Sequence, residues 1–183
     1  VLVLGATGML GRIVYSRFIG YNKTNTIGTS RKQVDKLICF KVGDTKTLKK
    51  ILLQYKPDYV INCIGALKNA SELQLTKVNT LFPKKLEKLS HVYGYKLIHI
   101  STDAVYSSSK GVVYENSPAN AADSYAVSKL NGEVHANSIS IRTSILGLDP
   151  DEHKGLLEHV LKKEVNKIGY INQIWSGSTT IQL

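Results

Sequence analysis

The chain has 183 residues, a formal net charge of +10, 43% hydrophobic and 21% charged residues. That is enough for one domain of ordinary size with a substantial core, and the composition is that of a globular protein rather than a disordered or fibrous one. No apolar run reaches the length of a membrane span and no basic-then-apolar leader stands in this sequence, so neither a membrane span nor a secretory signal is expected, and a cytoplasmic location is. The lysines are spread along helical stretches instead of gathered in one tract, and no nucleic-acid recognition motif accompanies them. A basic cleft suits an anionic small molecule instead. Cys39 and Cys63 sit inside apolar runs and read as small core residues, and the 5 histidines show no metal-ligand spacing, so no metal site is expected.

Val1-Leu-Val-Leu is a buried strand by composition, and Gly5-Ala-Thr-Gly8-Met-Leu-Gly11 follows it at once. Residues 12–19 continue with helical periodicity. Strand, glycine-rich turn and helix make up the dinucleotide-binding unit: Gly5 allows the tight turn, Gly8 lets a pyrophosphate approach the backbone, and Gly11 lets helix and strand pack closely. The helix N-terminus contributes free amides and a positive dipole end. Residues 26–29 read as a second strand. At its tip, where NAD-binding units carry an acid for the ribose hydroxyl, stand Ser30, Arg31 and Lys32; two cations and no acid suit a 2′-phosphate and favour NADP over NAD.

Residues 37–42 form a short third strand closed by Gly43-Asp44, and Asp44 either faces an adenine ring or caps the helix that starts at Thr45. An amphipathic helix over 47–55 ends before Pro57, and a fourth strand over 59–64 ends in Gly65-Ala66. Residues 71–93 read as one long helix stopped by Gly94. A fifth strand over 96–100 ends abruptly in the hydroxyls of Ser101 and Thr102, the appearance of a buried parallel strand emerging at its carboxyl end. From about Ala121 the spacing turns helical, and Tyr125 and Lys129 stand four apart on one face. An ammonium beside a phenol stabilises its anion and lowers its pKa, as acid/base catalysis requires. A sixth strand over 139–141 leads into Arg142-Thr-Ser-Ile-Leu-Gly147.

Strands and helices alternate through about Arg142, which predicts an α/β fold, a doubly wound parallel sheet of Rossmann-like type, over residues 1–147. After Leu148 the pattern changes to Pro150, an amphipathic helix over 155–164, a short strand near Ile168 and the segment Asn172-Gln-Ile-Trp175-Ser-Gly-Ser-Thr-Thr180. Residues 148–183 are expected to begin a substrate-binding part, with further residues missing at both ends of the sequence and more of them at the C-terminal end.

Gly5-x-x-Gly8-x-x-Gly11, Asn79, Ser101-Thr102-Asp103 and Tyr125-x-x-x-Lys129, in this order, resemble the extended short-chain dehydrogenase/reductase family over nearly the whole chain. Segments 98–106, 114–120 and 124–133 look most like dTDP-4-dehydrorhamnose reductases and related nucleotide-sugar reductases, whereas Trp175-Ser-Gly departs from them. Asp103 is followed by Ala104 where nucleotide-sugar 4,6-dehydratases carry a glutamate, so dehydration is disfavoured.

The resemblance implies hydride transfer between NADP(H), with NAD(H) as the alternative, and the C4 ketone of a nucleotide-linked 4-keto-6-deoxyhexose in deoxysugar and polysaccharide biosynthesis. Tyr125 would be the general acid, Lys129 would lower its pKa and hold the nicotinamide ribose, and Thr102 with Ser101 would hydrogen-bond the carbonyl oxygen. The expected cofactor-binding set is Gly5, Thr7, Gly8, Met9, Leu10, Gly11, Ser30, Arg31, Lys32, Asp44, Cys63, Ile64, Gly65 and Asn79, together with Tyr125 and Lys129. Trp175 would pack on the substrate's base or sugar, or else sit in a domain core. The expected partner is the nucleotide-sugar substrate, with no nucleic acid and no membrane, and a homodimer left open. Two other readings stay open: a sugar epimerase using the same Tyr/Lys pair on a tightly held cofactor, and a nucleotide-sensing regulatory subunit like that of methionine adenosyltransferase, which resembles the same reductases.

Overall fold

The computed structural model describes residues 1–21, 23–106, 111–149, 155–162, 175 and 177–183. Its strands β1 (Leu2–Leu4), β2 (Ile27–Ser30), β3 (Ile38–Cys39), β4 (Tyr59–Asn62), β5 (Lys96–Ile100) and β6 (Ser138–Ile141) form one parallel six-stranded sheet in the order β3-β2-β1-β4-β5-β6. Leu2, Val3 and Leu4 are all fully buried, because a central parallel strand has helices on both faces and no polar side to show. The helices are α1 (Met9–Ile19), α2 (Thr45–Tyr55), α3 (Glu72–Leu75), α4 (Phe82–Tyr93) and α5 (Ser124–Asn131). Leu48, Ile51 and Leu52 place one face of α2 against Leu2, Leu4 and Val60 of the sheet, and Phe82 and Leu86 of α4 join the same core. Each such side chain stabilises the fold by about 1.5–3 kcal/mol when fully buried.

The expected third strand is shorter than its sequence suggested, and the core role expected of Cys39 is not what is found. β3 is the sheet edge; Cys39 faces outward and is exposed, while Phe40 turns inward against Phe82, the two ring centroids 5.8 Å apart. An edge strand has one neighbour, so alternation leaves every second residue in solvent.

The single helix expected over 71–93 is instead three pieces, since a π-helical turn over Thr76–Leu81 separates α3 from α4. Pro83 supplies the physical reason. It has no N–H to donate to the carbonyl of Asn79, four residues earlier, so an α-helical ladder fails at that point. Ser71 caps the start through Gln74 N, and Gly94 (φ 77°) takes the left-handed conformation that ends α4.

Beyond β6, a parallel pair β7 (Ile145–Leu146) and β8 (Ser178–Thr179) forms a separate small sheet that the sequence did not suggest. Helix α6 spans Leu156–Leu161. Pro150, Glu164, the strand expected near Ile168 and most of the segment 172–176 lie outside the described residues. Among the described residues no helix is long and apolar enough to cross a membrane.

Candidate functional site

The strand order reverses between β1 and β4, so the carboxyl ends of these neighbours diverge into a crevice where ligands of open α/β sheets bind. The glycine turn sits there. Gly5 has φ 83°, and a Cβ at Gly11 would fall onto the Gly5 carbonyl oxygen and lie 3.3 Å from Cys63 Cβ, so α1 packs on β1 and β4 only if residue 11 has no side chain. Gly8 caps α1 without any side-chain bond, and the first turn, with Met9 and Leu10, carries no acid. Free amides at a helix start with no competing carboxylate suit an anion. Thr7 and Ser30 bring their hydroxyl oxygens within 3.4 Å of each other at the tips of β1 and β2, and Arg31 and Lys32 follow, both exposed. Asp44 accepts from Thr47 N at 3.0 Å and caps α2; hydrogen bonds from Thr47 hold its carboxyl below the usual range. The cap is therefore the role of Asp44 seen in the fold.

At the end of β4, Cys63 lies against Gly11 and Ile64 against Gly5, while Gly65 is exposed. Asn79, fully buried on the π-turn, donates to Ala66 O (3.0 Å) and Ser128 Oγ (3.0 Å) and accepts from Ala66 N (2.8 Å), which fixes this loop against α5. Gly132 makes this approach possible. A Cβ there would strike the Asn79 carbonyl and come within 3.2 Å of Thr80 Cα. Gly132→Ala should therefore cost at least about 1–3 kcal/mol, as overpacking does. Chemical denaturation beside Gly20→Ala, whose added Cβ would find only ordinary contacts from 3.5 Å, checks this.

Thr102 and Lys129 are buried at 6% and 5% exposure, and Tyr125, one turn before Lys129 on α5, is half-buried. Asp123 caps α5 through Ala126 N at 2.7 Å. Burial raises the Tyr125 phenol; the neighbouring Thr102 hydroxyl and the Lys68 charge pull it back, while Asp103 and Asp123 oppose them. The Lys129 ammonium donates to Ile100 O at 2.5 Å and lies 3.9 Å from where a Gly65 Cβ would be. Burial brings its pKa down to about 8, against the stabilising influence of Cys63 and Glu133. Burial also pushes the Cys63 thiol up to about 12, so it is an inert lining group.

Ser101 is held elsewhere. Its hydroxyl donates to Glu133 Oε1 at 2.9 Å, and Glu133 also accepts from Arg142 Nε (2.8 Å) and Nη2 (2.7 Å). Arg142 further donates to the Tyr106 hydroxyl and stacks 5.1 Å from the Tyr106 ring centroid. This buried fork ties β5, α5 and β6 to the turn that follows Thr102. Sequence reasoning gave Glu133 and Arg142 no role. The only sequence signal for either was a charged residue next to an apolar run.

Trp175 is 49% exposed, so it is not a core tryptophan; its indole N–H donates to Ser144 Oγ at 2.7 Å, and its ring packs on Gly177 beside β7 and β8. No contact joins it to Thr102 or Tyr125 among the described residues.

The parallel sheet with a glycine turn at its switch point defines a dinucleotide-binding type of fold. Residues 1–149 match the family model of the RmlD substrate binding domain, and the chain belongs to that family. Among curated proteins it is similar to methionine adenosyltransferase 2 subunit beta of Xenopus laevis, 28% identical over 137 residues, covering 72% of this chain and 41% of that one. It is also similar to the dTDP-4-keto-6-deoxy-D-glucose reductase of Streptomyces niveus, 24% identical over 82% of this chain and 49% of that one. Among solved structures, a dTDP-4-dehydrorhamnose reductase from Clostridium acetobutylicum superposes with a TM-score of 0.69 at 27% identity, over 84% of this chain and 56% of that one. The chain thus spans about half the length, or less, of these relatives.

Proposed function

We propose that the chain is the cofactor-binding and catalytic part of an NADPH-dependent reductase acting on the C4 ketone of a nucleotide-linked 4-keto-6-deoxyhexose, with residues 1–147 holding the dinucleotide and 148–183 beginning the substrate-binding part. The observation that supports this reading is the Thr102 hydroxyl acting on the Tyr125 phenol of α5, whose next turn carries the buried Lys129 ammonium at the carboxyl end of β5 beside Gly65.

The residues fit a dinucleotide. Gly8 and the uncapped start of α1 accept a pyrophosphate, Arg31 and Lys32 suit a 2′-phosphate, and the bare Gly65 edge leaves room beside the Lys129 ammonium. The bound dinucleotide supplies the hydride; the chain supplies orientation and the proton. Burial keeps the Tyr125 phenol protonated at neutral pH, the state a general acid needs before reduction. The Thr102 hydroxyl holds the carbonyl oxygen beside that phenol, where negative charge develops. Ser101, whose proton goes to Glu133, acts by positioning Thr102 rather than by touching substrate.

The test is NADPH oxidation by the full-length protein with dTDP-4-keto-6-deoxyhexose. Wild type turns over, and Tyr125→Phe loses about 10²–10⁴-fold in kcat, the scale of a general acid. Tight NADPH binding without turnover on any keto-sugar would overturn the reading. It would favour a regulatory subunit, the reading supported by the similarity to methionine adenosyltransferase 2 subunit beta; stable association with a catalytic adenosyltransferase subunit is its signature. NAD retained through purification would point to an epimerase instead.

A further inference from the structure

The turn that carries Thr102 is pinned at both ends to one side chain. Thr102 Oγ1 accepts from Ala104 N at 3.2 Å and so caps the single 3₁₀ turn Asp103–Val105, which makes the direction of this hydroxyl a property of the turn. On the near side, Ser101 N donates to Ile141 O at 2.7 Å and Ser101 Oγ to Glu133 Oε1 at 2.9 Å. On the far side, the Tyr106 hydroxyl accepts from Arg142 Nη1 and donates to Tyr114 O at 3.0 Å. Arg142 joins the two sides: Nε and Nη2 hold the Glu133 carboxylate, while Nη1 serves Tyr106 and, at 3.3 Å, Glu115 O. A planar guanidinium can reach all of them because its donors form a rigid fork; an ammonium offers a single nitrogen.

We infer that Arg142 is a positioning residue for the Thr102 hydroxyl: it holds both ends of the turn and ties the backbone at Tyr114 and Glu115 to the same point. It acts through Ser101 and Tyr106, not on the substrate. What it supplies is orientation, since a reacting group displaced by about 1 Å loses about 10²-fold in rate. Charge is a separate matter. Glu133 lies 2.7 Å from Arg142 Nη2, and a lysine would still neutralise that carboxylate while reaching only one side of the turn. The catalytic meaning of the inference rests on the reductase reading; the pinning of the turn does not.

The experiment compares the full-length wild type with Tyr106→Phe, which removes a hydroxyl and keeps the ring, and with Arg142→Lys, which keeps the charge opposite Glu133. Hydrogen exchange needs no substrate. It is expected to quicken by about tenfold or more at the Ala104 and Tyr106 amides, bonded to Thr102 Oγ1 and Asp103 O, and to stay unchanged in β1. In NADPH oxidation with dTDP-4-keto-6-deoxyhexose, both variants are expected to lose about 10–100-fold in kcat with KM for NADPH unmoved. In a Thr102→Val background, Tyr106→Phe is expected to cost nothing further, because the hydroxyl it positions is gone. Unchanged exchange at the two amides would overturn the inference. So would a kcat loss of equal size in the Thr102→Val background. A wild type without turnover removes the reductase reading alone, since exchange still decides whether Arg142 pins the turn, so the two failures are distinguishable.

Discussion

Arg142→Ala should lower the folding free energy by about 3–5 kcal/mol, the cost of stranding a buried charge. Glu133 is 4% exposed in its side chain and 2.7 Å from Arg142 Nη2. Burial alone would push its carboxyl up; the Arg142 fork, the Ser101 hydroxyl and the Arg142 charge outweigh it and hold the group below the usual range. Removing the guanidinium leaves that carboxylate in the interior with only Ser101, and also removes the stacking on Tyr106. At ~2–4 °C per kcal/mol for a chain of this size, thermal unfolding registers the loss as a drop of roughly 10 °C. The double variant Glu133→Gln/Arg142→Met should recover much of it, because a neutral pair leaves no charge unpaired. Equal losses in the single and double variants would show that packing, not charge, is what the fork supplies.

Acid should destabilise the fold early, beginning near pH 6.5. His99 is fully buried in β5 and its pKa is lowered to about 3, first by burial and then by the Lys129 and Lys84 charges. Asn62 Oδ1 accepts from Ile64 N, so its amide nitrogen faces His99 Nδ1 at 3.1 Å and places the imidazole proton on Nε2, which has no partner among the described residues. The unfolded chain binds a proton at this histidine below about pH 6.5, and the folded chain only below about pH 3. Between those values the unfolded state carries more protons, so stability is full above 6.5 and falls with pH by about 1.4 kcal/mol per unit. Glu133 adds a loss of the same sign below its unfolded value of about 4.5. His99→Gln keeps an oxygen to accept from Asn62 and removes the titration, so its stability should be flat from pH 6.5 to 5. Denaturant midpoints across that range measure the slope; an unchanged slope in the variant would locate the titrating group elsewhere.

The sequence by itself determined the alternation of strands and helices, the glycine turn between β1 and α1, and the ends of α2 and α4, because each rests on local stereochemistry: apolar runs, missing Cβ atoms, Asp44 and Gly94. It also determined that Tyr125 and Lys129 share a face, since their spacing is that of one helical turn. Only the tertiary structure decided which groups govern that face. Burial raises the Tyr125 phenol and the Thr102 hydroxyl from a strand end draws it back, while the Lys129 ammonium is claimed by a strand-end carbonyl that no spacing reveals. Ser101 and Thr102 are neighbours in sequence, yet strand alternation turns one toward buried Glu133 and the other toward the phenol. Gly132 is unremarkable in sequence, and it meets Asn79 because the end of α5 packs within a backbone's width of the π-turn. Cys39 looked like core because its run is apolar, and lies outside because β3 is an edge. Pairing and layer order set these outcomes, and they are properties of the whole sheet rather than of any one segment.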